Sequence, residues 1–436
     1  MNQSRKKLAI AGGERVRRGS FAKSWPVIDE REKQYLMDVL EAGHLSSYVL
    51  SAKASPDTGS KGDKLTAFHE KFNEYLGVKH GITVINGTAA LDIACRALLM
   101  DPGDEVITPA HSFIASSTCI LFCNTIPVFV DLDPETLCIS PDRIEEAITP
   151  RTRAIIAVHL DGYMCDMDRI MDIAEKHDLY VIEDCARAHA SEWRGKKAGT
   201  IGHFGCFSFQ SSKVMTCGEG GYLCTNDDHL FSRAWSIRNA GRQMAGGFYE
   251  HFLLGGNERM SQLDAAVLLA QLERFPEQAR KREENITYLE ELLEDIPGVR
   301  HVRRDPRVTA QTYFFAVFHY DASKFAGLPI GQFCDAVSAE GFPIRRGQNS
   351  GLYKNPMLSN QGLKDNKLDF IFRDHGRIIE YEKLSFPVTE SGQSFRLNHR
   401  CLLGDKEDME QFAAALRKVQ ENVGEVFEVI QERKKG

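Results

Sequence analysis

Lys213 stands between a hydroxyl-rich turn, Ser208-Phe209-Gln210-Ser211-Ser212, and a glycine-rich one, Gly218-Glu219-Gly220-Gly221. An amine sheltered at such a place can shed its proton and add to a carbonyl carbon. Glu183-Asp184-Cys185 directly follows the apolar run Leu179-Tyr180-Val181-Ile182. A carboxylate at that position needs a cationic partner, because burying it unpaired costs several kcal/mol. At Asn86-Gly87-Thr88-Ala89 a predicted strand turns into a predicted helix. Glycine there permits close approach, and the free N–H groups of a helix start suit a phosphate.

Each segment alone also has a plainer reading. Asn86 can be only a helix cap, Asp184 only a cap or the ion-pair partner of Arg187, and Lys213 only a solvated surface amine. Taken together they say more. A phosphate cradle (Gly87, Thr88), an anion for a ring nitrogen (Asp184), and a hydroxyl with an amine (Ser208, Lys213) follow one another along the chain. Those are the groups that pyridoxal 5'-phosphate (PLP) requires of a protein.

The elements that must position these residues are legible from periodicity. From Lys64 onward short apolar strands alternate with helices. The strands are expected at Gly81–Val84, Glu105–Thr108, Ile126–Val130, Arg153–His159 and Leu179–Ile182. Short, continuously apolar strands separated by helices imply a mostly parallel sheet buried on both faces, and ligands collect at the carboxyl ends of such strands. The fold class is therefore α/β. A helix is expected over Ser261–Phe275, a break at Pro276, and a second helix over about Glu277–Leu293. The division reads as an N-terminal arm and helix (1–45), a large α/β domain (46–275) and a smaller α+β domain (276–436) ending in a helix from about Lys406 to Arg433. Ser46–Asp63 is polar, with Gly, Pro and Ser, and reads as a long loop.

The bulk numbers narrow the partners. With 54 basic against 61 acidic residues the net charge is −7, which argues against nucleic acid or an anionic membrane. No apolar run reaches the roughly 18 residues of a membrane span, and the start of the chain has no secretory pattern, so a cytoplasmic protein is expected. The eleven cysteines lie in apolar stretches without a CxxC pair and read as reduced core thiols, with no metal expected.

Beyond these residues, whole segments of the chain resemble the DegT/StrS sugar aminotransferases, a family of fold-type I PLP enzymes. The resemblance runs through LAIAGGERVRR, SWP, NGTAALDIA, PGDEVITPAHSFIAS, VHLDGYMCDMD, VIEDCARAHA, AGTIGHFGCFSFQSSKVMTCGEGG and GGNERMSQLDAA. It implies a large PLP-binding domain around a seven-stranded, mostly parallel sheet. It implies that Lys213 forms the Schiff base and afterwards shuttles the proton, and that Asp184 pairs with the pyridine nitrogen. Ser208, Gly87 and the Thr88-Ala89 backbone would bind phosphate, with Phe113 stacked on the ring and Arg187 near the phenolic oxygen. Asn257 would reach the phosphate of a neighbouring subunit, which makes the active unit a homodimer with shared sites. The chain departs from the family's habit at Arg187, where glutamine is common, and at Glu258, where an aromatic residue is usual.

QSSKVMTCGEGG and HRCLLGDKEDM resemble the branch that aminates keto-cyclitols such as scyllo-inosose, beside the aminohydroxybenzoate synthases. The implied reaction moves an amino group from L-glutamate or L-glutamine to a keto-cyclitol or keto-sugar. Nucleotide-linked keto-sugars are the alternative acceptors, and a PLP-binding regulator without turnover is the alternative class. His399, Arg346, Asn349 and Tyr353, all beyond residue 276, are candidate substrate contacts, and each also reads as a surface or packing residue.

Overall fold

The computed structural model describes residues 7–46, 62–244, 247, 249–347, 350–373 and 379–433. Its centre is a seven-stranded sheet made of β1 (His80–Val84), β2 (Glu105–Pro109), β3 (Ile126–Val130), β4 (Thr152–Val158), β5 (Tyr180–Asp184), β6 (Phe204–Ser208) and β7 (Gly221–Thr225). The spatial order is β1-β7-β6-β5-β4-β2-β3. Only β7 runs against its neighbours; it pairs antiparallel with both β1 and β6. Every β2 position is buried, as are all but one of the β4 positions. That is why these strands read as unbroken apolar runs rather than as alternating ones.

Helices cover both faces, and two apolar clusters form against them. One holds Phe68, Phe72, Phe207 and Phe209, the other Ile93, Val106, Ile156 and Leu223. Helix α1 (Glu30–Ala42) starts on a capping box in which Asp29 and Glu32 satisfy each other's backbone. Helix α2 (Lys64–Leu76) buries Leu65, Phe68, Phe72 and Leu76 along one face. Helix α3 (Gly87–Ala97) leaves directly from the end of β1.

The break expected at Pro276 does not occur. One helix, Gln262–Leu293, runs through it. Proline removes an N–H and usually kinks a helix, but here both halves are anchored by side-chain bonds. Gln262 Oε1 accepts from the Leu65 N–H, Gln271 and Arg274 donate to Glu32, and Asn285 donates to the carbonyls of Leu402 and Gly404. Tertiary contacts on both sides outweigh the lost bond.

Beyond that helix lies an antiparallel sheet of β8 (Val299–His301), β9 (Phe315–Tyr320), β10 (Arg345–Arg346) and β11 (Ser394–Asn398), in the order β8-β9-β11-β10. The final helix is also not as expected. It divides into Lys406–Glu421 and Val423–Arg433, because Asn422 leaves helical geometry and its side chain bonds the Lys418 carbonyl. The N-terminal arm is sewn to this lobe. The Leu8 and Ala9 N–H groups donate to Glu425 and Glu340, and Phe21 packs on Phe342 and Phe412. Residues 47–61 of the polar Ser46–Asp63 segment lie outside the described residues. No described helix is long and apolar enough to cross a membrane.

Candidate active site

A cavity of about 500 Å³ opens at the carboxyl ends of the central strands. Gly87, Thr88, Phe113, Asp184, Arg187, Ser208 and Lys213 all line it. Seven residues that the sequence places up to 126 positions apart thus meet in one space.

The floor is built by strand ends. Asn86 caps α3 through its side chain, which accepts the Ala89 N–H at 2.8 Å. The cap occupies the Ala89 N–H and leaves the Gly87 and Thr88 N–H groups as first-turn donors. Glycine is needed at 87 because a Cβ there would stand 2.6 Å from the Ser208 Cβ. The Ser208 turn is held from behind by His189, whose Nε2 bonds the Ser208 carbonyl at 2.9 Å.

Alternation along β5 sends Glu183 and Asp184 to opposite faces. Glu183 takes hydrogens from the Gly199, Ile201 and Gly202 amides and from His159 Nε2 at 2.9 Å. His159 Nδ1 accepts from the Cys165 N–H, which fixes the tautomer. Asp184 faces the cavity and is only 6% exposed. Its carboxylate accepts from Ser116 Oγ at 2.9 Å and from the Ala186 N–H at 3.1 Å. Two donors hold its carboxyl group in a fixed orientation toward the cavity.

Lys213 is half-buried, with its Nζ 5.0 Å from the Phe314 ring centre. Burial, then the Arg187 guanidinium, push its pKa down from 10.5 to about 8, against the opposing pull of Asp184 and Asp161. Roughly a quarter of such amines are neutral near pH 7.5, against about a thousandth of ordinary lysines. Arg187 pairs with Asp161 at 2.5 Å and also lies over Phe314. Asp161 also forms an ion pair with Arg396, whose Nε lies 2.9 Å from its Oδ2.

The remaining expected residues divide. Asn257 is exposed, bridged to Asn239 and outside the cavity of its own chain. Glu258, beside it, is half-buried and bonds the Ile85 N–H through its carbonyl. His399 is buried behind the lysine turn, where its Nε2 bonds the Ser212 carbonyl at 3.1 Å and its ring lies on Phe314. Burial and the neighbouring Arg282 keep it neutral. Arg346 is an exposed strand residue paired with Phe395. Tyr353 is buried against Phe129 and Phe386 and donates to Glu390. Neither lines the cavity. Asn349 lies outside the described residues.

Comparison with known proteins gives the same picture. Residues 43–328 match the DegT/DnrJ/EryC1/StrS aminotransferase family. A relative from Streptoalloteichus tenebrarius, provisionally named L-glutamine:3-amino-2,3-dideoxy-scyllo-inosose aminotransferase, is 38% identical over 95% of this chain and 98% of its own. The chain belongs to the DegT/DnrJ/EryC1/StrS aminotransferase family. It is an enzyme that transfers amino groups. The L-glutamine:2-deoxy-scyllo-inosose aminotransferase of the same organism is 36% identical over 96% of this chain and 99% of its own. The solved structure of 3-amino-5-hydroxybenzoic acid synthase superposes with a TM-score of 0.78 and 30% identity, covering 92% of this chain and 99% of that one. For this aminotransferase, Ser116, His159, Asp161 and Phe314 are cavity or support residues that carry no local sequence signal. They are recognisable only through what they touch.

Proposed function

We propose that this aminotransferase holds PLP in the 500 Å³ cavity and moves an amino group from L-glutamine or L-glutamate to a keto-cyclitol. The observation that carries the reading is the half-buried Lys213 amine, its proton affinity lowered, facing the same cavity as the doubly hydrogen-bonded Asp184. The residues fit the cofactor. The first-turn amides of α3 and the Ser208 hydroxyl make a phosphate cradle at one end, and Asp184 supplies an anion suited to a protonated ring nitrogen.

When bound, the cofactor supplies an electron-poor ring that stabilises the charge left when the substrate carbon loses its proton. The chain's residues do the rest. Lys213 anchors the cofactor, then carries a proton from the donor carbon and back to the acceptor, tethered within reach of both. Asp184 keeps the ring nitrogen protonated, and Ser116 and Ala186 keep Asp184 in place. Phe113, 62% exposed at the rim, offers an apolar face for the ring. The protein works as a homodimer with shared sites in the cytoplasm; an exposed Asn257 outside the cavity of its own chain is available to a second copy, which supports the shared site. The relatives' names support glutamine as donor and an inosose-type ketone as acceptor.

The test is a two-step conversion. L-glutamine should bleach the visible band of the purified protein, and the acceptor should restore it. The account expects restoration by 2-deoxy-scyllo-inosose or scyllo-inosose. Restoration by nucleotide-linked keto-sugars alone would replace the acceptor, and no bleaching by any amino acid would leave a regulator without turnover.

A further inference from the structure

Arg282 is a cation sealed in the interior. The residue is 1% exposed, and burial lowers its pKa from 12.5 to about 9, which still leaves it charged near neutrality. Among the described residues no carboxylate lies within ion-pair distance of it, although a buried charge without such a partner is costly. Its contacts are two. The guanidinium lies 5.5 Å from the centre of the Trp25 ring, and Nη2 donates to His399 Nδ1 at 3.4 Å.

Arginine only donates, so His399 Nδ1 must accept, and the imidazole proton sits on Nε2. That nitrogen faces the Ser212 carbonyl at 3.1 Å. A second proton on His399 would confront the guanidinium, and burial together with Arg282 holds its pKa well below 6.5. The ring is thus a neutral donor of fixed tautomer. Its placement is fixed as well. The His399 N–H donates to the Phe314 carbonyl. One turn beyond Arg282 on the same helix, Asn285 donates to the Leu402 and Gly404 carbonyls.

What His399 holds is Lys213, at both ends. The Ser212 carbonyl belongs to the peptide group that carries the Lys213 N–H, and this N–H donates to the Gln210 carbonyl at 2.8 Å. One peptide plane is therefore clamped at both edges, and the root of the lysine side chain with it. At the far end, Lys213 Nζ lies over the Phe314 ring at 5.0 Å. That ring stacks on His399, with centroids 5.8 Å apart and planes at 22°.

We propose that His399, set in one tautomer by Arg282, is the positioning residue of Lys213: it anchors the root of the lysine and supports the ring beneath its amine. The proposal rests on the aminotransferase reading above, in which that amine carries a proton between two carbons. Neither His399 nor Arg282 lines the cavity, so both act through Lys213. A tethered base works by geometry, and a displacement of about 1 Å costs roughly 100-fold in rate.

Two measurements on the purified full-length protein compare His399→Leu, which loses the donor, with His399→Gln, whose amide N–H can replace Nε2. The first is amide hydrogen exchange, read by mass spectrometry over the peptide containing residues 208–214. Exchange there should be roughly tenfold faster in His399→Leu and near that of the unaltered protein in His399→Gln. The second is the rate at which L-glutamine, with hydrogen or deuterium on its α-carbon, bleaches the visible band. His399→Leu should slow bleaching by about 10- to 100-fold, with a larger isotope effect and an unchanged half-saturating concentration. His399→Gln should stay within about threefold. Should His399→Leu not fold, Arg282→Met is read the same way. Its loss should be about 3- to 10-fold, because Nε2 still donates in one of the two tautomers. Equal losses in the leucine and glutamine variants would make His399 a packing residue and overturn the proposal. Unchanged exchange and bleaching in His399→Leu would overturn it too. If no amino acid bleaches the unaltered protein, amino transfer fails, while the exchange comparison still decides the clamp.

Discussion

Gly87, Asp184, Ser208 and Lys213 come from strand ends, or the turns just after them, of one sheet, whereas Asp161, Phe314 and Arg396 meet from a turn of the large lobe and from a bend before β9 and strand β11 of the smaller one. The two walls of the site are built differently. The sheet wall is positioned by backbone register, which every neighbouring strand enforces. The opposite wall is positioned by ion pairs and ring contacts across long sequence separations. Groups common to the whole reaction class need the first kind of precision; groups that choose between substrates can reside on the second, where one substitution rebuilds the charge pattern without disturbing the sheet.

That contrast can be broken most sharply at Lys213. Lys213→Ala should abolish the visible band and lower turnover by roughly three orders of magnitude or more, with the fold retained by circular dichroism. Asp184→Asn comes next. Turnover should fall by about 10²- to 10³-fold with the cofactor still bound, because the ring nitrogen loses its anion. On the opposite wall Arg187→Gln should act through proton affinity. In cofactor-free protein the Lys213 amine is neutral above about pH 8, so cofactor uptake should rise as pH passes through that value and then level off. Removing the Arg187 cation relieves the repulsion on protonated Lys213, and the midpoint should move upward. A stopped-flow pH series checks the sign, and an unmoved midpoint would mean burial alone sets it.

Smaller effects sharpen the comparison. Gly87→Ala should destabilise the protein by about 1–3 kcal/mol and weaken cofactor binding, since its Cβ meets Ser208 at 2.6 Å. Thermal melts with and without cofactor separate the two losses. Tyr353→Phe should cost about 1 kcal/mol at most, through the lost bond to Glu390. Substrate KM should stay as it was, because Tyr353 sits in its own apolar cluster with Phe129 and Tyr381. A tenfold rise in KM would return Tyr353 to the site.

The difference between the walls also explains what could be read without coordinates. Asp184 and Gly87 announce themselves because each comes at the end of an apolar strand, where ligands bind, and Lys213 because it stands between a hydroxyl-rich and a glycine-rich turn. Ser116, His159 and Asp161 carry no comparable mark. Ser116 lies within α4 (Ala115–Phe122), and its role appears only when Asp184 is seen 2.9 Å away. Asp161 looks like an ordinary turn residue until Arg187 and Arg396 close on it. Local rules also misplace boundaries where packing wins. Pro276 reads as a helix end, yet anchors on both sides carry the helix through. His399 reads as a polar contact for substrate, yet its ring is walled in by Trp25 and Phe314. Its effect on chemistry would pass through the Ser212 carbonyl next to Lys213.

The central claim is a covalent one, and peptide mass spectrometry after hydride reduction tests it most directly. The account predicts a phosphopyridoxyl adduct on the peptide containing Lys213 and on no other lysine. Reduced protein without an adduct there, or with the adduct elsewhere, would contradict it.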